Sequence, residues 1–163
     1  MSGQLHRWIW PLPRLDGVVP CILASTRDVT SDDVELGYQG RAWSLALVPV
    51  FAAREGIVTY ARRGTDGPTV CIDHAGGWST QYAGLGDVLA RPTDRFCKRR
   101  KERVRAGDVI GHMPRSPLRI RFSLSRWSGT ACATVDPGSC MHAWSALPWF
   151  AEPSRRLVAR ATS

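Results

Sequence analysis

The sequence predicts a mostly β protein built as an antiparallel sheet. Three observations carry this. First, PLRIRFSL (117–124) alternates strictly. Leu118, Ile120, Phe122 and Leu124 fall on one side; Arg119, Arg121 and Ser123 fall on the other. Period-two alternation reads as a strand with one buried face. Second, short apolar runs recur between turn signals: VPVFAA (48–53), GIVTYA (56–61), TVCIDH (69–74) and STQYAGL (79–85). Strands at this spacing argue a sandwich or closed sheet. Third, no segment holds a helical period over the length of a good helix.

Taken in order, VPVFAA and GIVTYA meet across Arg54-Glu55 as an expected hairpin. GTDGP (64–68) is a turn. TVCIDH follows, with Val70 and Ile72 on one face, and Cys71 is expected to be a buried, inert thiol. Gly76-Gly77 turns the chain into STQYAGL. RFCKRRKERVR (95–105) breaks the rhythm with seven Lys/Arg against one Glu. AGDVIGH (106–112) gives a tight turn and a short strand, and PLRIRFSL follows. The tryptophans near the two ends, Trp8, Trp10, Trp144 and Trp149, are expected to pin the termini onto the body by burying large apolar area. The domain is expected to span 1–153, with a frayed tail at 154–163.

Composition narrows the class. The chain has 163 residues, 44% of them hydrophobic, enough for one core. A net charge of +8 favours anionic partners without choosing among them. Five cysteines without a CxxC spacing read as reduced thiols. No run approaches a membrane span. The first residues hold no apolar stretch fit for a signal peptide, so the chain is expected to be cytoplasmic as synthesised. No nucleophile elbow supports hydrolase chemistry of the serine type.

Six pieces in order resemble the lysostaphin-type (LytM-like) zinc endopeptidases. Trp10-Pro11-Leu12-Pro13 with Gly17 resembles the family's WP-x-P-G opening. VPVFAAREGIVTYA resembles TPVYAAADGVVVYA. VCIDHAGGWSTQYAGL (70–85) resembles V-I-x-H-G-x-G-x-x-T-x-YAHL. VRAGDVIG (104–111) resembles VKKGQVIG, PLRIRFSL falls where the family has PHLHFEV, and VDP (135–137) resembles VNP. The similarity covers roughly residues 8–150. It implies the family's antiparallel, groove-bearing sheet (the duplicated hybrid motif).

The resemblance also implies an activity and then withdraws its means. The family hydrolyses peptidoglycan peptide bonds with a zinc held by the His and Asp of H-x-G-x-D and the second His of HLH. The first His of HLH and the His of YAHL flank the catalytic water. ELGYQG (35–40) matches the first segment, which puts Glu35 at the His and Gln39 at the Asp. Gly84 stands for the His of YAHL, and Arg119 and Arg121 stand for the two histidines of HLH. None of the five positions keeps its residue. A guanidinium has no lone pair to give and keeps its charge. At about 4 Å and an effective dielectric of about 20, like unit charges repel by about 4 kcal/mol, and a divalent ion doubles the charge. The resemblance therefore implies a pseudopeptidase with no metal cofactor.

Arg119 and Arg121 have three readings: an internal salt bridge with Glu35 that fills the vacated site, an anion-binding pair, or solvated surface. The bridge is preferred. Lys98, Arg99, Arg100, Lys101 and Arg103 form a candidate anion or partner contact, against the plain reading of a solvated loop. His6, His74, His112 and His142 are expected at the surface or in packing. Trp43, Trp78 and Trp127 are candidates for a sugar-stacking ledge. The leading function is a non-catalytic binding or scaffolding module for a protein partner, a macromolecular assembly or a cell-wall peptide, including a role inside an exported or phage-like particle. The alternatives are a nucleic-acid-binding protein and an active zinc peptidase with other ligands.

Overall fold

The computed structural model describes residues 7–15, 17–28, 31–39, 47–64, 67–90 and 102–149. The fold is mostly antiparallel β. Its main sheet orders β2 (Cys21–Asp28), β3 (Ser31–Gly37), β11 (Arg119–Trp127), β7 (Trp78–Ala83), β6 (Gly67–Asp73), β5 (Gly56–Gly64) and β9 (Arg103–Val104). β12 (Cys132–Val135) pairs with the far half of β11. A smaller sheet orders β4 (Pro49–Phe51), β10 (Val109–His112) and β8 (Asp87–Val88). β1 (Arg14–Leu15) and β13 (Pro148–Trp149) pair in parallel.

The alternation of β11 holds. Ile120, Phe122 and Leu124 are buried, while Arg119 and Arg121 are exposed. Val34, Leu36, Val58, Val70, Ile72 and Tyr82 form one core cluster with Ile120 and Phe122, together with Val50 and Ile110 of the smaller sheet. Phe122 lies 5.4 Å from the Tyr82 ring and 6.1 Å from Trp144. The turn before β10 is tied by Asp108 N–H to the Arg105 carbonyl and by Arg105 N–H to the Asp108 carboxylate. Among the described residues no helix is long and apolar enough to cross a membrane.

Two expectations are corrected. The segments 48–53 and 56–61 do not form a hairpin. β4 pairs with β10, whereas β5 pairs with β6 and β9. The backbone between them is engaged elsewhere: Ala52 N–H donates to Asp108, Ala53 N–H to the Tyr82 hydroxyl, and Ile9 N–H to the Ala53 carbonyl. Tight hairpins want a residue at positive φ, and Arg54-Glu55 offers no glycine. The chain therefore crosses between sheets there. Glycine is required one step later, because a Cβ at Gly56 would stand 2.3 Å from the Asp73 carbonyl oxygen. The second correction is Cys71, which is only half-buried on the face opposite Val70 and Ile72. Burial still raises its thiol pKa to about 11, so it stays protonated. The β2–β3 hairpin was not assigned from sequence at all.

The ends of the described chain are knitted together. Trp8 stacks on Trp144 with ring centres 4.9 Å apart. Trp10 N–H donates to Ser145, and Arg14 N–H to Leu147. Trp8, Trp10, Trp144 and Trp149 all pack against the core, as the sequence led one to expect. Arg54, 6% exposed, lays its guanidinium over Trp8 at 5.2 Å. This cation–π contact offsets part of the burial of that charge.

Beneath Trp8 runs a buried polar chain. His74 Nδ1 lies 2.7 Å from the Glu55 carbonyl oxygen, so it carries the proton and donates. Nε2 lies 2.8 Å from Thr80 Oγ1. Thr80 Oγ1 donates to the Tyr82 hydroxyl 3.0 Å away. Tyr82 also accepts from Ala53 N–H. The chain ties β6 and β7 to the crossing between sheets. Burial, helped by the Arg54 charge, lowers the His74 pKa below its ordinary 6.5.

Two outcomes follow from this packing. Phe122→Ala should cost about 3–5 kcal/mol in denaturant unfolding, with the same slope against denaturant. For His74 the unfolded chain takes up a proton at a pH where the folded one does not. Its contribution is fully present above pH 6.5 and is lost as pH falls through the lowered folded value. The unfolding midpoint should therefore drop between pH 7 and pH 5, and His74→Gln should flatten that drop.

Candidate functional site

The site is built on the outward face of β11. Antiparallel pairing sets Arg121 opposite Glu35 on β3 and opposite Ala83 on β7. Arg119 stands opposite Gly37. Both arginines reach diagonally, one step along β3, for their partners. Arg119 Nη1 donates to Glu35 Oε2 at 3.1 Å, and Arg121 Nη2 donates to Asp33 Oδ2 at 3.0 Å. Diagonal neighbours in a sheet lie within reach of long side chains. Strand alternation puts Asp33 and Glu35 on one face of β3, with Val34 and Leu36 buried behind them. Thr134 of β12 donates to the neighbouring Asp32.

These groups border a cleft of about 340 Å³. Glu35, Gly84, Arg119 and Arg121 line it, so four of the five positions singled out from sequence meet in one place. Gln39 is exposed and is not among the lining residues. Leu85, Pro114, Pro117 and Ile120 add apolar wall, and Gly67 and Gly84, both at positive φ, keep the opening clear of side chains. Asp33 was missed from sequence. The signal was there in DDVELG: Val34 and Leu36 alternate with Asp33 and Glu35 as PLRIRFSL does.

The other candidates fall elsewhere. Lys98, Arg99, Arg100 and Lys101 lie outside the described residues. Arg103 is exposed on β9, at the opposite edge of the main sheet from β3, so the sheet does not bring it to the cleft. His74 is buried in its polar chain. His112 Nδ1 lies 2.9 Å from Asp87 Oδ1 at the surface, and His142 is exposed; His6 lies outside the described residues. Among the described residues no group of three or more His, Cys, Asp or Glu stands close enough to hold a metal ion. Trp78 is half-buried between Trp8 and the Arg126 guanidinium, leaving Trp127 alone exposed of the described ledge candidates; Trp43 lies outside the described residues.

The Arg119–Glu35 pair is about half exposed on the arginine side and a third on the glutamate side, 48% and 32%. Exposed pairs contribute little through solvent screening. A double-mutant cycle of Glu35→Gln and Arg119→Gln should return a coupling of about 0.2–1 kcal/mol, shrinking in 1 M salt.

Comparison with known proteins places this geometry. No curated protein matches the sequence. Solved structures share the fold. A protein described as a glycyl-glycine endopeptidase LytM from Ruminococcus gnavus superposes with a TM-score of 0.62 at 14% identity, over 90% of this chain and 64% of that one. This chain thus spans under two thirds of that protein's length. The deep-sea M23 metalloprotease pseudoalterin gives 0.56 at 14% identity, over 80% and 75%. A chain of the SpoIIQ–SpoIIIAH pore-forming complex gives 0.57 at 15% identity, over 89% and 94%. The description of Peptidase family M23 matches residues 41–123, half of the sequence, from the approach to β4 through the arginine-bearing half of β11. The chain belongs to peptidase family M23.

Proposed function

We propose that this protein is a non-catalytic binding or scaffolding module on the peptidase M23 fold, engaging a protein partner or a cell-wall peptide. One observation carries the reading: Arg119 and Arg121, which the motif resemblance sets at the family's histidines, are ion-paired to carboxylates of β3. The residues at the cleft do not fit a zinc ion. Catalytic zinc takes neutral imidazole or carboxylate ligands and keeps one position open for water. Of the described lining residues only Glu35 offers such an atom, and it accepts from Arg119. Two guanidinium groups beside it repel a divalent cation. Without a metal-bound water the fold has no nucleophile for amide hydrolysis here.

The likeness to a chain of the SpoIIQ–SpoIIIAH complex supports an assembly role, since there the fold occurs within a protein complex. The +8 charge favours an acidic partner surface.

The test is metal analysis joined to turnover and retention. The purified full-length chain, dialysed against zinc and then washed, should hold far less than one zinc per protein. It should leave glycyl-glycine peptides and insoluble peptidoglycan uncut, while being retained on peptidoglycan or co-purifying with a defined partner. About one tightly held zinc per chain, with chelator-sensitive cleavage, would overturn the reading.

A further inference from the structure

We propose that the cleft over β11 is a carboxylate-binding site that takes the C-terminal end of a peptide. The proposal rests on the non-catalytic reading above and names the ligand chemistry of the same site. Its first support is the placement of charge. Among the described residues that line the cleft, two guanidinium groups stand with one carboxylate. Asp33, which pairs with Arg121, is not a lining residue, and its side chain is only 20% exposed. A ligand in the cleft therefore meets guanidinium edges, with one paired carboxylate in the wall and the other set behind it.

The second support is the geometry of Arg119. Its guanidinium meets Glu35 through Nη1, and its side chain remains 48% exposed. A guanidinium has five N–H donors in a fixed fork. Glu35 holds the fork in place and leaves donors for a second, planar acceptor. A carboxylate matches that edge with two parallel hydrogen bonds.

The third support is the shape of the cleft. About 340 Å³ falls at the small-ligand end of binding cavities. Leu85, Pro114, Pro117 and Ile120 supply apolar wall beside the charged one. An anion with an apolar body uses both, as the last residues of a peptide do. A nucleic-acid strand fits less well. Among the described lining residues no aromatic ring stands to stack a base.

The experiment is a set of titrations on the full-length chain, followed by calorimetry and by amide shifts of β11. The probes are Ac-Ala-Ala as free acid, Ac-Ala-Ala-NH2, Ac-Ala-Asp-NH2 and sodium acetate. The free acid should bind about tenfold or more tighter than its amide, because charge-assisted hydrogen bonds to Arg119 are lost in the amide. Arg119→Gln should erase the difference while its circular dichroism and unfolding midpoint stay close to wild type. Glu35→Gln, which removes the carboxylate that competes for Arg119, should keep the preference for the acid. Equal binding of acid and amide, no binding of either, or a preference that survives Arg119→Gln overturns the proposal. So does acetate binding as tightly as the peptide acid, which marks a free-anion site. Ac-Ala-Asp-NH2 matching the free acid marks an acidic side chain as ligand and overturns the terminal assignment. A zinc-free chain that shows none of these preferences loses this inference alone, whereas zinc loading with cleavage removes the non-catalytic reading itself.

Discussion

The structure depends on the two-sidedness of β11. Its period-two pattern drives Ile120, Phe122 and Leu124 into the core and holds Arg119 and Arg121 out over the cleft. A one-residue slip would bury both guanidinium groups and expose the apolar set, so the register is strongly specified. β11 also joins what would otherwise be separate pieces. It pairs with β3 and β12 on one side and β7 on the other, and so brings carboxylates from residues 33 and 35 to arginines more than eighty positions later. Core and site share one strand, and neither can move without the other.

The same two-sidedness separates the cleft from the packing. The cleft face of β11 carries the exposed Arg119 and Arg121. The buried face, the Trp8–Trp144 stack and the His74–Thr80–Tyr82 chain carry the packing. Arginines on the cleft face leave those interactions alone when carboxylates are near enough to pair with them. Asp33 and Glu35 meet that need at 3.0 and 3.1 Å. The face carries fixed, partly neutralised charge.

Much of this was legible in the chain. The strands at β5, β6, β7, β10 and β11 were read from alternation and turn residues, because a half-buried strand must alternate. The Arg119–Glu35 bridge was also readable, since the motif resemblance set both residues at positions that the family uses for one metal site. The 48–61 hairpin was misread because two apolar runs separated by two residues look alike whether they pair with each other or with distant strands. What differs is the destination of the backbone hydrogen bonds, and Asp108, Ile9 and Tyr82 lie far away in sequence. The β2–β3 hairpin escaped because residues 23–26 of its outer strand are all exposed and carry no alternation. An edge strand without a buried face leaves no period to read.

The sequence by itself determined the fold class and the inward and outward faces of β6 and β11. These are local properties, set by residue type and spacing. Only the tertiary structure decided which strands are neighbours, that Asp33 pairs with Arg121 while Glu35 pairs with Arg119, and that Arg103 stands at the far edge of the sheet from the cleft. Register and strand order are products of long-range pairing. They emerge when the buried faces of both sheets close on one core, which no short stretch of chain can encode alone.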